Sequence, residues 1–308
     1  MRLALFSLIT SCIVACRPGD VTDIPVNPKR IVVQSQPEPG KPFEVYVTHT
    51  LPLLDSMTHY LYPPPVLENA KVRLFEGEQF IEDLVPTGPD TQMQKYVGST
   101  NGPVVGHSYS IRVEAPGYES VMGTYMHPPV VPIDNIKATL IREEMYNYNP
   151  EMGQIFLEYN IDVTFTDPPG DNYYSLAIIR ADSPDLNTAT LVTQEFLYSR
   201  TVDYQNQQNE FGSFLTDKKF PGQQVTLVFS SFIGMASTNG AVDSPYIFLS
   251  LRNLSKELYD YRTCIVNPGP DYYDPYAQPS IVKTNIQNGL GVFAGFSVDS
   301  KYFQYQPK

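Results

Sequence analysis

Two pairs of carboxylates have the residue types that glycoside hydrolysis requires. Glu143 and Glu144 are adjacent, and Asp162 precedes Asp167 by five residues. In such a pair one carboxyl group acts as general acid while the other acts as nucleophile or base. Acidic residues beside turns more commonly stay solvated or cap a local structure. A polysaccharide-active enzyme is therefore the least favoured function for this chain.

Other catalytic and metal-binding patterns do not appear. No Gly-x-Ser-x-Gly elbow is present for a serine nucleophile. Asp167, Asp171 and Asn172 could offer oxygen ligands to calcium, but the EF-hand spacing is missing and an ordinary turn is preferred. No His-x-x-x-His or Glu-flanked metal spacing occurs among the four histidines, His49, His59, His107 and His127. The sequence predicts a protein that is not an enzyme and holds no metal and no cofactor.

A different chemistry is expected at Cys16. The apolar run Leu3–Ala15 is too short to cross a bilayer core of about 30 Å as a helix, and it follows a basic Arg2. It ends in Ile-Val-Ala-Cys at residues 13–16, which resembles a bacterial lipobox. We interpret residues 1–15 as a lipoprotein signal peptide and Cys16 as the lipid attachment site that holds the chain on a bilayer. The alternative is an ordinary secretory signal that happens to contain a cysteine.

The composition limits the fold and the partners. The chain has 28 Pro and 19 Gly among 308 residues, which excludes a helical bundle or coiled coil. Only three Cys are present, and Cys12 would leave with the signal peptide. Cys264 is predicted to be a small buried hydrophobic residue. The net charge of −12 without clustered Lys or Arg argues against binding to nucleic acid.

The first half of the mature chain predicts a tether and a β-sandwich. Residues 16–29 are rich in Pro and acidic residues, as expected of a flexible tether. Phe43, Val45 and Val47 then begin a period-two alternation that continues between turn signals. About seven short strands over roughly 100 residues predict an immunoglobulin-like β-sandwich for residues 30–127, with Tyr109 hydrogen-bonding backwards near a strand start.

A second, larger β-rich domain with one or two short helices is expected at residues 128–308. The proline-rich stretch 127–132 marks the boundary. Ser255 is predicted to cap a helix whose apolar face contains Leu254, Leu258, Tyr261 and Ile265. Strands are predicted at Gln154 to Thr166, Tyr173 to Arg180, Gln224 to Ser231 and Tyr246 to Arg252.

Loop-like aromatic residues are the candidate contact surface. Tyr272, Tyr273 and Tyr276 lie in the sequence Asp-Tyr-Tyr-Asp-Pro-Tyr, which favours contact with a ligand or partner. The alternative is that half of each aromatic pair faces the core. The same choice applies to two other tyrosine pairs, Tyr146 with Tyr148 and Tyr173 with Tyr174.

The closing segment carries a resemblance to a known family. Residues 284–295 read Thr-Asn-Ile-Gln-Asn-Gly-Leu-Gly-Val-Phe-Ala-Gly after the proline-bounded Asp274–Pro279. This resembles the end of a Bacteroidota lipoprotein family catalogued as domain of unknown function 4249. Further similar segments follow in order: Arg30-Ile31-Val32-Val33, Phe165-Thr166-Asp167-Pro168 and Leu254 to Tyr261. Gln34-Ser35-Gln36 departs from the family, which more often has an acidic-Gly pair there.

The glycines of this segment have two physical interpretations. Asn288-Gly289 is a strong turn dipeptide, and Gly291 and Gly295 permit close approach of the backbone. A Gly-rich stretch can also bind phosphate, but here it leads into a strand and lacks the Lys-Ser/Thr of such loops. A structural turn is therefore predicted.

The resemblance implies a location and a partner. Such lipoproteins tend to be encoded beside TonB-dependent outer-membrane receptors, which implies a non-catalytic accessory subunit that binds a ligand or caps the transporter. The implied location is the outer membrane, lipid-anchored and facing the cell surface, with the periplasmic face as the alternative. A structural or adhesive envelope lipoprotein is the second function, and the polysaccharide-active enzyme is the third.

Overall fold

The protein is mainly β in the part that the structure describes. The computed structural model describes residues 28–51, 67, 69–90, 93–147, 152–186, 188–199, 213–238, 241–266 and 282–306. The elements in chain order are β1 (Ile31–Ser35), β2 (Glu44–His49), β3 (Lys71–Glu76), β4 (Gln79–Asp90), β5 (Met93–Val97), β6 (Ser108–Glu114), β7 (Val121–Met126), β8 (Ile133–Asn147), β9 (Met152–Thr166), β10 (Tyr173–Ala181), β11 (Leu191–Ser199), β12 (Ser213–Thr216), β13 (Gln224–Thr238), β14 (Ala241–Val242), β15 (Tyr246–Leu254), α1 (Lys256–Val266), β16 (Ile286–Gln287), β17 (Leu290–Phe293) and β18 (Phe296–Gln304). A single 3₁₀ turn, Asp217–Lys219, follows β12 among these residues.

The first sheet has the strand order β16-β7-β6-β3-β4-β5-β2-β1-β17. Its pairs are antiparallel except β1 with β17, which run parallel. The long strand β4 joins two ladders, because residues 79–84 pair with β3 and residues 85–90 pair with β5. Alternation decides which face is buried: Val45 and Val47 of β2 point into the core, whereas Tyr46 between them points outward.

Two short strands that precede β18 nearly close this sheet on itself. β16 and β17 occupy its two edges, and Asn288 and Gly289 join them directly. Asn288 has a φ of 59°, and Gly291 has a φ of 103°. A Cβ atom on Gly291 would lie 1.9 Å from the carbonyl oxygen of Val33 on the neighbouring β1. The structural turn predicted for this segment is confirmed, since only glycine permits so close an approach of β17 to β1.

The second sheet follows the order β18-β15-β10-β11-β13-β9-β8, with β12 beside β10 and β14 beside β13. The hairpin of β8 and β9 contains 15 residues in each strand. A second apolar core lies against this sheet and contains Ile161, Phe165, Phe229 and Leu249. The four strands predicted for this half are confirmed, and each extends by one to seven residues beyond one of its predicted ends.

Helix α1 begins where the sequence predicts. The backbone N–H of Leu258 donates to the Ser255 hydroxyl oxygen at 3.4 Å, as expected of an N-cap. Leu254, Leu258 and Tyr261 are buried, but Ile265 is 44% exposed because the last turn lies away from the core. Cys264 is half-buried in that turn, not fully buried as predicted.

Two strands from the predicted C-terminal domain belong to the sheet of the predicted N-terminal domain. β16 and β17 belong to the range 128–308, which the sequence assigns to the C-terminal domain, yet they pair with strands of the range 30–127. The first apolar core likewise includes Phe214, Leu258 and Phe293 from later in the chain. The division into two domains stays a prediction, and the closing segment completes the first sheet.

We predict that Gly291→Ala destabilises the fold much more than Gly117→Ala. Both glycines have positive φ, which costs an L-residue about 1–2 kcal/mol, but a Cβ on Gly117 meets nothing within 4 Å. At position 291 the overlap with β1 should add about 1–3 kcal/mol or more. Urea unfolding curves of both variants provide the measurement. An equal decrease in the free energy of unfolding for the two variants would show that β17 has room for a side chain beside β1.

Candidate functional site

A cleft of about 760 Å³ lies between the outer face of the first sheet and the region where β15, α1 and β18 meet. This volume is within the range typical of small-molecule sites. The cleft is lined by Gln34, Ser35, Gln36, Pro37, Glu38, Lys41, Pro42, Glu44, Tyr46, Met93, Arg252, Arg262 and Phe296. It is the candidate binding site.

One wall comes from the outward side chains of β1, β2 and β5. Gln34 and Tyr46 are half-buried there because their neighbours in each strand point into the core. Lys95 Nζ lies 2.9 Å from the Glu44 carboxylate and 5.7 Å from the ring centroid of Tyr46. The hydrogen bond to Glu44 raises the pKa of Lys95 above its ordinary value. The carboxylate of Glu44 is therefore held in an ion pair at this wall.

The opposite wall carries two guanidinium groups and one aromatic ring. Arg252 lies near the end of β15, and its guanidinium carbon is 5.5 Å from the ring centroid of Phe296, which is 5% exposed. Arg262 is on α1, next to the buried Tyr261. A hydrogen bond between the side chains of Tyr261 and Gln34 connects the helix to β1. These contacts fix the two walls relative to each other.

The segment that carries Phe296 is held by a buried histidine. Ser297 Oγ donates to the carbonyl oxygen of Pro128 at 2.7 Å, so its single hydrogen is committed. Ser297 must then accept from His127 Nε2 at 3.1 Å, and Nδ1 is left to accept from the Tyr125 hydroxyl at 3.4 Å. His127 has no exposed surface, and burial lowers its pKa to about 4. The imidazole is therefore neutral and holds the start of β18 in place.

Two further backbone contacts complete this junction. The side-chain amide of Asn253 donates to the Pro129 carbonyl at 3.0 Å, and the N–H of Ser255 donates to the Gly295 carbonyl at 2.9 Å. A Cβ atom on Gly295 would lie 2.8 Å from both His127 Nδ1 and a ring carbon of Tyr125. The segments 127–129, 253–255 and 295–297 thus cross in close contact beside the cleft.

The structure locates only some of the residues singled out in the sequence. Tyr174 has no exposed surface and donates to Asp167, so one member of that pair does face the core. Tyr173 packs against Tyr259 with ring centroids 5.0 Å apart. Tyr146 is 51% exposed. The predicted lipid attachment site Cys16 and the predicted contact residues Tyr272, Tyr273 and Tyr276 lie outside the described residues, as does Tyr148.

The carboxylate pairs do not face one another. Asp162 and Asp167 are separated by an odd number of positions along β9 and its end, and Glu143 and Glu144 are consecutive in β8, so each pair points to opposite faces. Asp167 is 2% exposed and accepts from the N–H of Gly222 at 2.7 Å as well as from Tyr174. It holds a turn together. Among the described residues no group of three His, Cys, Asp or Glu is placed to hold a metal ion.

Sequence reasoning did not identify the cleft residues Arg252, Arg262 and Phe296. They are distant from Gln34 and Glu44 in the chain and share no motif with them. The helix periodicity was the available signal, because it places Tyr261 on the buried face and so Arg262 beside it. Within the described ranges, no helix has the length and apolar character needed to cross a membrane.

Comparisons with known proteins identify one family. The model described as "Domain of unknown function (DUF4249)" matches residues 20–302. No curated protein matches. A solved chain titled "Streptococcus agalactiae AgI/II polypeptide BspA C terminal domain (WT)" is 9% identical, with 74% of this chain and 95% of that chain covered and a TM-score of 0.14. A second, titled "BspA_C_WT", is 8% identical over the same shares, also with a TM-score of 0.14. These TM-scores carry no structural argument.

We predict that His127 makes stability depend on pH. Its folded pKa of about 4 is below the unfolded value of about 6.5, so the unfolded chain takes up the proton first as the pH falls. Stability contributed by the neutral imidazole is present above about pH 6.5 and is lost towards pH 4. Proton linkage at His127 therefore lowers the free energy of unfolding by about 2 kcal/mol between about pH 7 and about pH 5.

Urea unfolding of His127→Gln at the two pH values measures this contribution. The variant should be less stable near pH 7 but should lose about 2 kcal/mol less than the wild type on acidification. His49→Gln, at a half-buried ring beside Tyr118 and the Thr50 carbonyl, is the matched control and should keep the wild-type difference. A His127→Gln variant with the full wild-type loss would contradict the assignment.

Proposed function

Because the chain belongs to the family described as domain of unknown function (DUF4249), whose description names no function, we propose one from its residues and its cleft. The protein is a non-catalytic lipoprotein of the outer membrane in a Bacteroidota bacterium. It binds a ligand in the cleft as an accessory subunit of a TonB-dependent receptor. The expected position is the cell surface.

The observation that carries the binding role is the cleft itself. It combines a volume of about 760 Å³ with side chains of several chemical kinds: amides, a tyrosine ring, carboxylates and guanidinium groups. Its walls come from distant parts of the chain, and the junction at His127 holds the segment that carries Phe296. A preformed concave site with a small number of convergent polar groups is typical of ligand binding.

Membrane attachment through Cys16 supplies the location in this proposal. The lipobox at residues 13–16 supports it, and the Pro-rich stretch 16–29 would let the folded part stand away from the bilayer. Several acyl chains on one cysteine would give lasting attachment, unlike a single myristoyl chain. Asp20 and Asp23 loosely resemble the acidic signal that sends such lipoproteins to the surface.

An immunoglobulin-like sandwich remains our proposal for the N-terminal domain. Strand order supports it, since β1, β2 and β5 are neighbours in one ladder while β3, β6 and β7 are neighbours in the other. In an immunoglobulin domain, strands A, B and E lie in one sheet and strands C, F and G in the other, and the two groups of strands here correspond to them. The hydroxyl of Tyr109 also accepts from the N–H of Val104 at 2.9 Å, and this backward hydrogen bond supports the proposal.

An adhesive envelope protein is the second candidate, and one surface favours it. Tyr146, Phe156 and Phe232 are 51%, 42% and 48% exposed on one face of β8, β9 and β13, and we call them the aromatic face. The rings of Tyr146 and Phe156 are 5.6 Å apart. Exposed aromatic side chains of this density are more typical of contact surfaces than of solvated sheets.

We predict that Cys16→Ala removes the protein from the outer-membrane fraction. Without the thiol no diacylglycerol can be attached at this position. Fractionation of cells followed by immunoblotting measures the distribution. Cys12→Ala, at the cysteine of the predicted signal peptide, should leave the protein in the outer membrane. A Cys16→Ala protein that still fractionates with the outer membrane would rule out lipid anchoring at this residue.

We also predict that the tagged protein, purified from detergent-solubilised outer membrane, brings one TonB-dependent receptor with it in equal amount. Mass spectrometry identifies the receptor, and quantitative staining gives the ratio. The Cys16→Ala protein is the control, because it should recover less receptor when it is no longer held beside the membrane. Recovery of the lipoprotein alone would contradict the accessory role and leave the adhesive candidate.

A further inference from the structure

We infer that Glu82 is a positioning residue for the cleft. Its carboxylate holds residues 98–102, which we call the support loop, and this loop in turn holds residues 36–42, which we call the rim. The inference rests on the proposed binding role, because it concerns the shape of that same cleft. The rim supplies five of the residues that line it: Gln36, Pro37, Glu38, Lys41 and Pro42.

Glu82 lies on the inward face of β4, where its neighbours are apolar. It pairs across the ladder with Leu74, and Leu84, two residues along the same strand, is also buried. A half-buried carboxylate in such a place gives up hydration, which is costly unless hydrogen-bond donors replace the lost water. The position of Glu82 therefore requires specific partners.

The support loop, between β5 and β6, provides four donors to this carboxylate. One oxygen accepts from the N–H and the hydroxyl of Ser99, both at 2.7 Å. The other accepts from the N–H of Thr100 at 3.1 Å and from its hydroxyl at 2.8 Å. Burial raises the pKa of Glu82, but these hydrogen bonds outweigh burial and lower the pKa below its ordinary value. A Cβ atom on Gly98 would lie 2.7 Å from a carboxylate oxygen of Glu82, so the backbone of the loop approaches the carboxylate closely.

The support loop also contacts the backbone of the rim. The N–H of Gly40 donates to the carbonyl oxygen of Asn101 at 3.0 Å. Gly102 has a φ of 80°, and a Cβ atom there would lie 2.4 Å from the carbonyl oxygen of Lys41 and 2.5 Å from that of Glu38. Because the two backbones touch, a displacement of the support loop displaces the rim.

The sequence of the rim makes this contact important. Proline has no N–H to donate, and the rim contains three prolines, Pro37, Pro39 and Pro42. Gly40 therefore supplies one of the few N–H groups that can connect the rim to another segment. A rim that is held in place before a ligand arrives loses less conformational entropy on binding. Glu82 thus acts on the cleft through the support loop, although it is not itself part of the cleft lining.

Hydrogen–deuterium exchange followed by mass spectrometry, on the purified lipoprotein in detergent, measures both contacts. In Glu82→Ala the amides of Ser99 and Thr100 lose a charged acceptor, so they should exchange at least about tenfold faster. Rim peptides should exchange about fivefold faster, as expected when a backbone hydrogen bond is weakened. Peptides from β13 should keep their wild-type rates.

Two results of this measurement would overturn the proposal. Unchanged exchange in the rim would show that the rim does not depend on Glu82, and faster exchange in all peptides would show a general loss of stability. If Glu82→Ala does not fold, Glu82→Gln replaces it, because glutamine keeps the side-chain length and one acceptor oxygen. The same amides should then exchange faster by a smaller factor, and wild-type rates in both segments would reject the positioning role.

Asp182→Ala is the matched control. Its carboxylate also accepts from a backbone N–H, that of Thr190 at 2.8 Å, but it follows β10 in the second sheet. The variant removes the same kind of contact and should leave exchange in the support loop and the rim unchanged. Equal acceleration of the rim by Asp182→Ala would contradict a specific role of Glu82.

A double variant tests whether Glu82 acts through the support loop. Gly102→Ala brings a Cβ atom against the rim carbonyls and should speed exchange in the rim while Glu82 is still present. If both substitutions break the same connection, rim exchange in the double variant should stay within about twofold of the faster single variant. Acceleration factors that multiply would show two independent effects and would overturn the assignment.

Failure of this proposal and failure of the accessory role give different results, because the exchange measurements use neither ligand nor receptor. A rim that responds to Glu82 without recovery of a receptor rejects the accessory role and keeps the positioning residue. Recovery of the receptor with a rim that does not respond to Glu82 rejects the positioning residue alone.

Discussion

The buried imidazole of His127 is the constraint on which the arrangement of this protein depends. Three segments of the chain cross at this point. The hydrogen bonds among Tyr125, His127, Ser297 and Pro128 pair both ring nitrogens of His127 and the hydroxyl of Ser297. Buried polar groups are tolerated only when they are satisfied in this way. The same crossing fixes the first residue of β18, the end of β15 and the beginning of α1. A change there would move the wall of the cleft that carries Arg252 and Phe296.

The sequence could predict local structure well, because each feature depends on neighbours in the chain. Period-two alternation identified β2, and Ser255 with Leu258 and Tyr261 identified the helix and its start. The glycines of the closing segment also predicted a turn, and the contact of Gly291 with Val33 gives the reason. Ile265 and Cys264 show the limit of periodicity, since a helix pattern does not tell where the supporting core ends.

Long-range pairing could not be predicted from the same information. Nothing near β1 indicates that its second neighbour is β17, and nothing near Glu44 indicates Arg252 across the cleft. The proline-rich stretch 127–132 was interpreted as a boundary because proline interrupts strands. In the structure its first residue is fully buried and its prolines offer carbonyl acceptors to Ser297 and Asn253. Proline excludes a donor but leaves an acceptor, so a strand-breaking stretch can still be a centre of contact.

The joining of β16 and β17 through Asn288 and Gly289 has a consequence for how the chain reaches its native state. Val32 pairs with Leu290, roughly 260 residues later in the sequence, so the first sheet has a very high contact order. During synthesis the opening strand emerges first and its parallel neighbour emerges almost last. The amino-terminal half must therefore wait with β1 exposed on one side. Protection of that edge by a chaperone, or rapid completion of synthesis, becomes a requirement of the topology.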